Sequence, residues 1–220
     1  MNQVDPCQSP KKGRPLSFDR DVALGQAMLL FWQHGYEATS LKDLTSALGV
    51  RPSSIYSAFG DKKALFLEAV DHYLSGPVTS ETIIADAATA RDAARGLLRA
   101  AAAGFTGTDT PKGCLLASSA ISCSDAAAEV KEELAVRRRA IESLLRRRIV
   151  HAIRSGEVPA ESDAEALAAH TMAVIQGMST LARDGAKREK LLRLVDAAML
   201  AWPTGVNDLS QLPKRRSRPV

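Results

Sequence analysis

Aromatic residues make up only 5% of the 220-residue chain, and cysteine is rarer still, with three in all: Cys7, Cys114 and Cys123. An odd count at these spacings excludes a closed disulfide framework, matches no zinc-ligand pattern, and suits a reducing compartment. His34, His72, His151 and His170 are scattered, so the sequence assembles no metal site, and it implies no cofactor. No apolar run is long enough to cross a bilayer, and Met1 to Pro15 lacks the apolar stretch of a signal peptide. A soluble, cytoplasmic protein without membrane contact is expected.

What the chain does have is helix-forming material. Ala, Leu and Arg dominate, with 45% hydrophobic residues overall; these side chains lose little rotamer freedom on a helix, so an all-α fold is expected. The net charge is +4, but Lys11, Lys12 and Arg14 concentrate at one end and Lys214, Arg215, Arg216 and Arg218 at the other. Basic ends of this kind suit a polyanion and equally suit simple solvation. Residues 1–16 and 204–220, rich in Pro, Gly and charge, read as a basic arm and a basic tail without order of their own.

Between them two regions differ in style. Within 17–77 the pattern gives four helices. The first starts at Ser17, buries Val22, Ala23, Ala27, Leu30 and Phe31, and stops at Gly35. The second follows Ser40, where Ser40 and Asp43 have capping-box spacing, and ends at Gly49. The third starts near Pro52 with Ile55 and Phe59 inward, and the fourth runs from after Asp61 to Ser75. Within 78–203 the helices are longer and Ala-rich, at about 82–106, 113–123, 125–154, 162–183 and 187–202. The fourth of these begins with a capping-box spacing at Ser162 and Glu165.

The second and third helices with Gly49 between them form a helix-turn-helix, whose second helix can lie in a DNA major groove. With Ile55 and Phe59 inward, the outer side of that helix carries Arg51, Pro52, Ser53, Ser54 and Ser57, with Tyr56 able to offer its hydroxyl to a phosphate. Ser40, Lys42, Lys62 and Lys63 sit at helix starts, where unpaired N–H groups already favour phosphate. Arg14 can reach an adjacent minor groove or merely extend a basic leader.

The stretch from Thr39 to Leu65 resembles the helix-turn-helix signature of the tetracycline-repressor (TetR) family from end to end. Gly49-Val50, Ile55-Tyr56, Phe59 and Lys62-Lys63-Ala64-Leu65 lie closest to the pattern; Arg51-Pro52 departs from it, since many members have a small residue there. The resemblance implies an N-terminal helix-turn-helix domain and a larger helical domain for effector binding and dimerisation. It further implies that Ser40 and Lys42 touch the DNA backbone, that Arg51 to Ser54 approach bases, and that Tyr56 and Lys62 hold phosphates. The partners it implies are a palindromic double-stranded operator, a second copy of the chain and an unidentified small-molecule effector.

For the second region the residues themselves must serve. The apolar faces and small residues of helices 162–183 and 187–202, Gly177 among them, suit a four-helix interface with a symmetric copy, or a cover for the chain's own core. The nearly uncharged stretch Pro111 to Cys123 resembles a Gly-Cys-Leu-Leu segment found in a subset of the family, some of whose members sense electrophiles or oxidants through a cysteine, which makes Cys114 and Cys123 candidates for effector or redox sensing. Cys114 at a helix start can be an activated thiolate, and it can equally be a small buried hydrophobe. Arg137-Arg-Arg and Arg146-Arg-Arg wind around their helix and suit solvent, neighbouring glutamates or an acidic effector. The function expected is a DNA-binding repressor released by a small-molecule or thiol-reactive effector, and not an enzyme. A cysteine-dependent enzyme and a non-specific architectural DNA binder are the alternatives.

Overall fold

The computed structural model describes residues 18–119 and 127–203. Within them the chain forms helices α1 (Arg20–His34), α2 (Leu41–Leu48), α3 (Pro52–Phe59), α4 (Lys62–Leu74), α5 (Ser80–Asp86), α6 (Ala90–Phe105), α7 (Leu115–Ser118), α8 (Ala128–Arg154), α9 (Ala164–Arg183) and α10 (Arg188–Ala198), followed by a 3-10 turn at Met199–Ala201. Arg14 and Cys123 lie outside the described residues.

Local chemistry sets most boundaries. Asp19 caps α1 by accepting from the Asp21 and Val22 amides, Asp61 caps α4 from Ala64, and Gly49 closes α2 in the left-handed conformation at φ 63° and ψ 26°. The first helix, expected from Ser17, begins at Arg20 because Asp19 takes the cap, and three further boundaries depart from the sequence pattern. The helix expected at 82–106 is two, because Ala87 is extended and the Thr89 side chain accepts from the Asp92 amide to start α6 afresh. The helix expected from residue 162 begins at Ala164, since Asp163 rather than Ser162 accepts from the Glu165 and Ala166 amides. The segment from residue 113 is helical only over Leu115–Ser118 among the described residues.

Two apolar cores result. The first joins α1 to α4, with Phe31, Leu44, Ile55, Leu65 and Phe66 fully buried and the Phe31 and Phe66 rings edge-to-face at 5.0 Å. Each such side chain contributes about 1.5–3 kcal/mol by leaving water. Val22 does not join this core. It is 58% exposed, because the buried stripe of α1 runs through Ala23, Ala27 and Phe31 with Leu24 and Trp32 beside it. The second core packs the alanine face of α6, Ala94, Leu98 and Ala102, against α8, α9 and α10.

The cores meet at one junction. Leu115 and Leu116 of α7 and Val130 and Leu134 of α8 belong to the first core although they lie in the second region of sequence. Trp32 donates from Nε1 to the Gly113 carbonyl at 3.1 Å. Gly113 donates to the Phe105 carbonyl at 3.1 Å, and the Cys114 amide donates to Ser179 Oγ at 2.8 Å. Gly113 has φ 83°, and an added Cβ would lie 2.8 Å from Arg183 Cγ and 2.9 Å from the Ser179 carbonyl oxygen. Gly113→Ala should therefore cost about 2 kcal/mol or more through left-handed strain and overlap with backbone. Urea unfolding of the full chain checks this; an unchanged midpoint would refute the tight junction.

Candidate nucleic-acid interface and effector cavity

The α2–α3 unit is fixed from below and open above. Ile55 and Phe59 anchor α3 in the first core, leaving Pro52, Ser53, Tyr56 and Ser57 exposed together with Arg51 at the N-cap; Ser54 is half-buried. Tyr56 is 50% exposed, a large ring without a place in the core. Arg51 has no side-chain capping bond. Pro52 at the first turn lacks the N–H that would have gone unpaired there. Lys42 is exposed on the first turn of α2.

Ser40 is committed to the fold. Its Oγ accepts from the Asp43 amide at 3.1 Å and donates to Asp43 Oδ2 at 2.6 Å, while Asp43 accepts from the Ser40 amide at 2.9 Å. The expected capping box is present, with Asp in the Glu position. These bonds, from the Ser40 hydroxyl first and its amide second, hold the Asp43 carboxyl below its ordinary value.

Lys62 and Lys63 are both engaged within the protein. The Lys62 ammonium lies 4.5 Å above the centre of the Tyr36 ring and donates to the Glu37 carbonyl at 3.4 Å, and burial lowers its pKa. Lys63 pairs with Glu129 at the start of α8. Two further links position α3 and α4. Arg20 donates to both Glu68 oxygens, at 2.5 and 2.8 Å, and to the Ala58 carbonyl, with its guanidinium 4.5 Å over the Phe59 ring. Arg137 of α8 donates from Nε to Asp71 of α4 at 3.0 Å and from Nη1 to Glu133 at 2.8 Å. The sequence pattern misses Arg20–Glu68 and Arg137–Asp71 because their partners are 48 and 66 residues apart and follow no local periodicity, whereas Glu133 lies four positions from Arg137.

A cavity of about 260 Å³ opens between α4, α6, α8 and α9. Tyr73 and Leu74 at the end of α4 reach it, as do Cys114, Arg138 and Gln176. Burial pushes the Cys114 thiol up, against the pull of the Leu116 and Ala117 amides and of the Tyr73 hydroxyl, which donates to Sγ at 3.7 Å; α7 beyond it is a single turn of four residues. Among the described residues no group of three or more His, Cys, Asp or Glu could hold a metal ion, and no helix is long and apolar enough to cross a membrane.

Two family models match: the bacterial regulatory proteins of the tetR family over residues 23–69, and the tetracyclin repressor-like C-terminal domain over residues 90–198. The HTH-type transcriptional repressor ComR of Escherichia coli (strain K12) is 35% identical over 199 residues, covering 90% of this chain and 95% of its own. The chain belongs to the TetR family of bacterial regulatory proteins. A cysteine-substituted form of the TetR family transcriptional regulator CifR, solved with 26 bp of double-strand operator DNA, is 40% identical with a TM-score of 0.82 over 87% of this chain and 100% of its own. A TetR transcriptional regulator from Rhodococcus sp. RHA1 is 35% identical with a TM-score of 0.59 over 84% of this chain and 99% of its own.

As a TetR-family member this protein is a DNA-binding transcriptional regulator, and α2 and α3 are its helix-turn-helix. Its reading unit depends on the capping box. Ser40→Ala should destabilise it by about 1 kcal/mol. The Asp43 contribution, from a lowered pKa, is complete above the ordinary carboxylate range and is lost as pH falls through the lowered value. Thermal unfolding of wild type and Asp43→Asn should therefore differ near neutrality and converge in acid. A gap that persists at all pH values would remove the carboxylate from the account.

Proposed function

We propose that this protein is a homodimeric repressor that leaves a palindromic operator when a small molecule enters the cavity beside Tyr73. The observation that carries the reading is the position of α4. Its first turn follows the reading helix directly, its outer side is tied to α8 at Lys63–Glu129 and Asp71–Arg137, and its last turn lines the cavity. A ligand that prefers a shifted α4 moves the reading helix with it, because Arg20 and Glu68 bind α1, α3 and α4 into one body.

Within this reading Arg51, Ser53 and Ser54 approach base edges, with Pro52 setting the helix start, and Lys42, Tyr56 and Ser57 meet the backbone. Ser40 contributes through its helix start and Lys62 by seating α4 against Tyr36. Arg14 tracks an adjacent minor groove. The DNA-bound CifR structure supports a duplex partner.

Dimerisation through α9 and α10 is supported by their outer faces. Ala166, Ala169, Ala173, Gly177 and Thr180 give α9 an exposed stripe without bulk, and α10 with the turn after it exposes Leu192 and Leu200, the latter at 85%. Two copies related by a two-fold axis would bury these faces together and set two reading heads about 34–36 Å apart, one turn of DNA. A small-molecule effector is favoured over a thiol-reactive one because burial disfavours the Cys114 thiolate.

Gel shifts with the DNA upstream of the protein's own gene and with a scrambled duplex test the central claim. Wild type should prefer the upstream DNA, and Tyr56→Ala should lose about 1–2 kcal/mol of that binding, roughly tenfold. Equal binding to both duplexes would instead indicate an architectural DNA binder. Gly177→Arg should yield a folded monomer by light scattering, since nothing lies within 4 Å of a Cβ at this position; a dimer that persists would place the interface elsewhere.

A further inference from the structure

We infer that the cavity takes a small organic monocarboxylate, an apolar body bearing one carboxylate, with Arg138 as its anchor. The inference rests on reading the cavity as the effector site and names the ligand class. Val78, Ile83, Leu97, Phe105, Ile141 and Met172 make the walls apolar, and 260 Å³ falls just below the roughly 300–1,000 Å³ of drug-sized ligand sites, which suits a small ligand. The described lining contains no Asp or Glu and one cationic side chain, Arg138.

Arg138 stands apart from its neighbours on α8. Arg137 is saturated by Asp71 and Glu133, and Arg139 pairs with Glu132. Arg138 makes no ion pair among the described residues; its Nη1 donates to the Leu116 carbonyl at 2.7 Å. That bond orients the guanidinium and leaves further N–H groups, whose planar fork matches a carboxylate in a paired geometry. The low polarity of the walls strengthens the attraction and disfavours a cationic ligand, which would add a second positive charge. Gln176 lines the same space, and its side-chain amide can donate to the second carboxylate oxygen.

The position also gives such a ligand leverage. Arg138 follows Arg137, the residue that grips Asp71 on α4, so an anion drawing on Arg138 acts next to the link between effector domain and DNA domain. It acts equally on α7, through the Leu116 carbonyl.

Calorimetry on the full-length protein with cyclohexanecarboxylate, cyclohexanemethanol and cyclohexylmethylammonium, three probes of one apolar body, tests the inference. The carboxylate should bind at least about tenfold more tightly than the alcohol, the margin of one charge-assisted hydrogen bond, and the ammonium most weakly. Arg138→Gln should reduce the carboxylate to the level of the alcohol while leaving the alcohol unchanged, and Arg138→Lys should restore part of the difference. Ala101→Phe, which fills the cavity from α6, should abolish binding of both. Equal affinity for carboxylate and alcohol, or a preference that survives Arg138→Gln, overturns the anionic class and leaves the cavity as a neutral-ligand site. Undiminished carboxylate binding by Ala101→Phe overturns the proposal together with the reading of the cavity as the effector site.

Discussion

The bond from Trp32 Nε1 to the Gly113 carbonyl joins the DNA-reading helices to the rest of the molecule, and the surrounding architecture is arranged to keep it. A single buried hydrogen bond contributes about 1 kcal/mol, but this one is held in register by two others and a ring contact. Gly113 also donates to Phe105, the Cys114 amide donates to Ser179, and the Trp32 ring meets Tyr73 edge-to-face at 4.9 Å. Helices α1, α4, α6 and α9 therefore converge on two residues, and the close approach is open only to glycine at position 113.

This convergence ties the two sequence regions together in the folded chain. Four short helices alone bury little surface, and the first core is completed by Leu115, Leu116, Val130 and Leu134. Under the proposed function, a change at α7 or the first half of α8 would reach the helix-turn-helix through these contacts, and a ligand that discriminates between two positions of α4 would change the distance between the two heads of a dimer.

Electrostatics divides the same way. The links that fix α4 join residues far apart in sequence, Arg20 to Glu68, Lys63 to Glu129 and Asp71 to Arg137. Each is partly exposed and worth little alone. They act as positional constraints, with the hydrophobic contacts beneath supplying the stability. Exposed groups left over from these pairings, Lys42, Arg51 and Tyr56, are the ones turned toward solvent on the helix-turn-helix.

The sequence by itself determined the all-helical fold, the helix-turn-helix with its Ser40–Asp43 box and Gly49 turn, and the outward face of α3, because each depends on residues within a few positions of one another. Periodicity and capping are local, so they survive in a single sequence. Tertiary structure alone decided that Thr89 restarts a helix within an alanine-rich run, that Val22 faces water while Trp32 is buried, and that Lys62 turns to Tyr36. It also decided that Cys114 is a partly buried thiol beside Tyr73 and that Arg138, one arginine of three in a row, faces the cavity. All of these depend on which surfaces meet across dozens of residues, and that meeting is set by the summed packing of two cores, which no local pattern encodes.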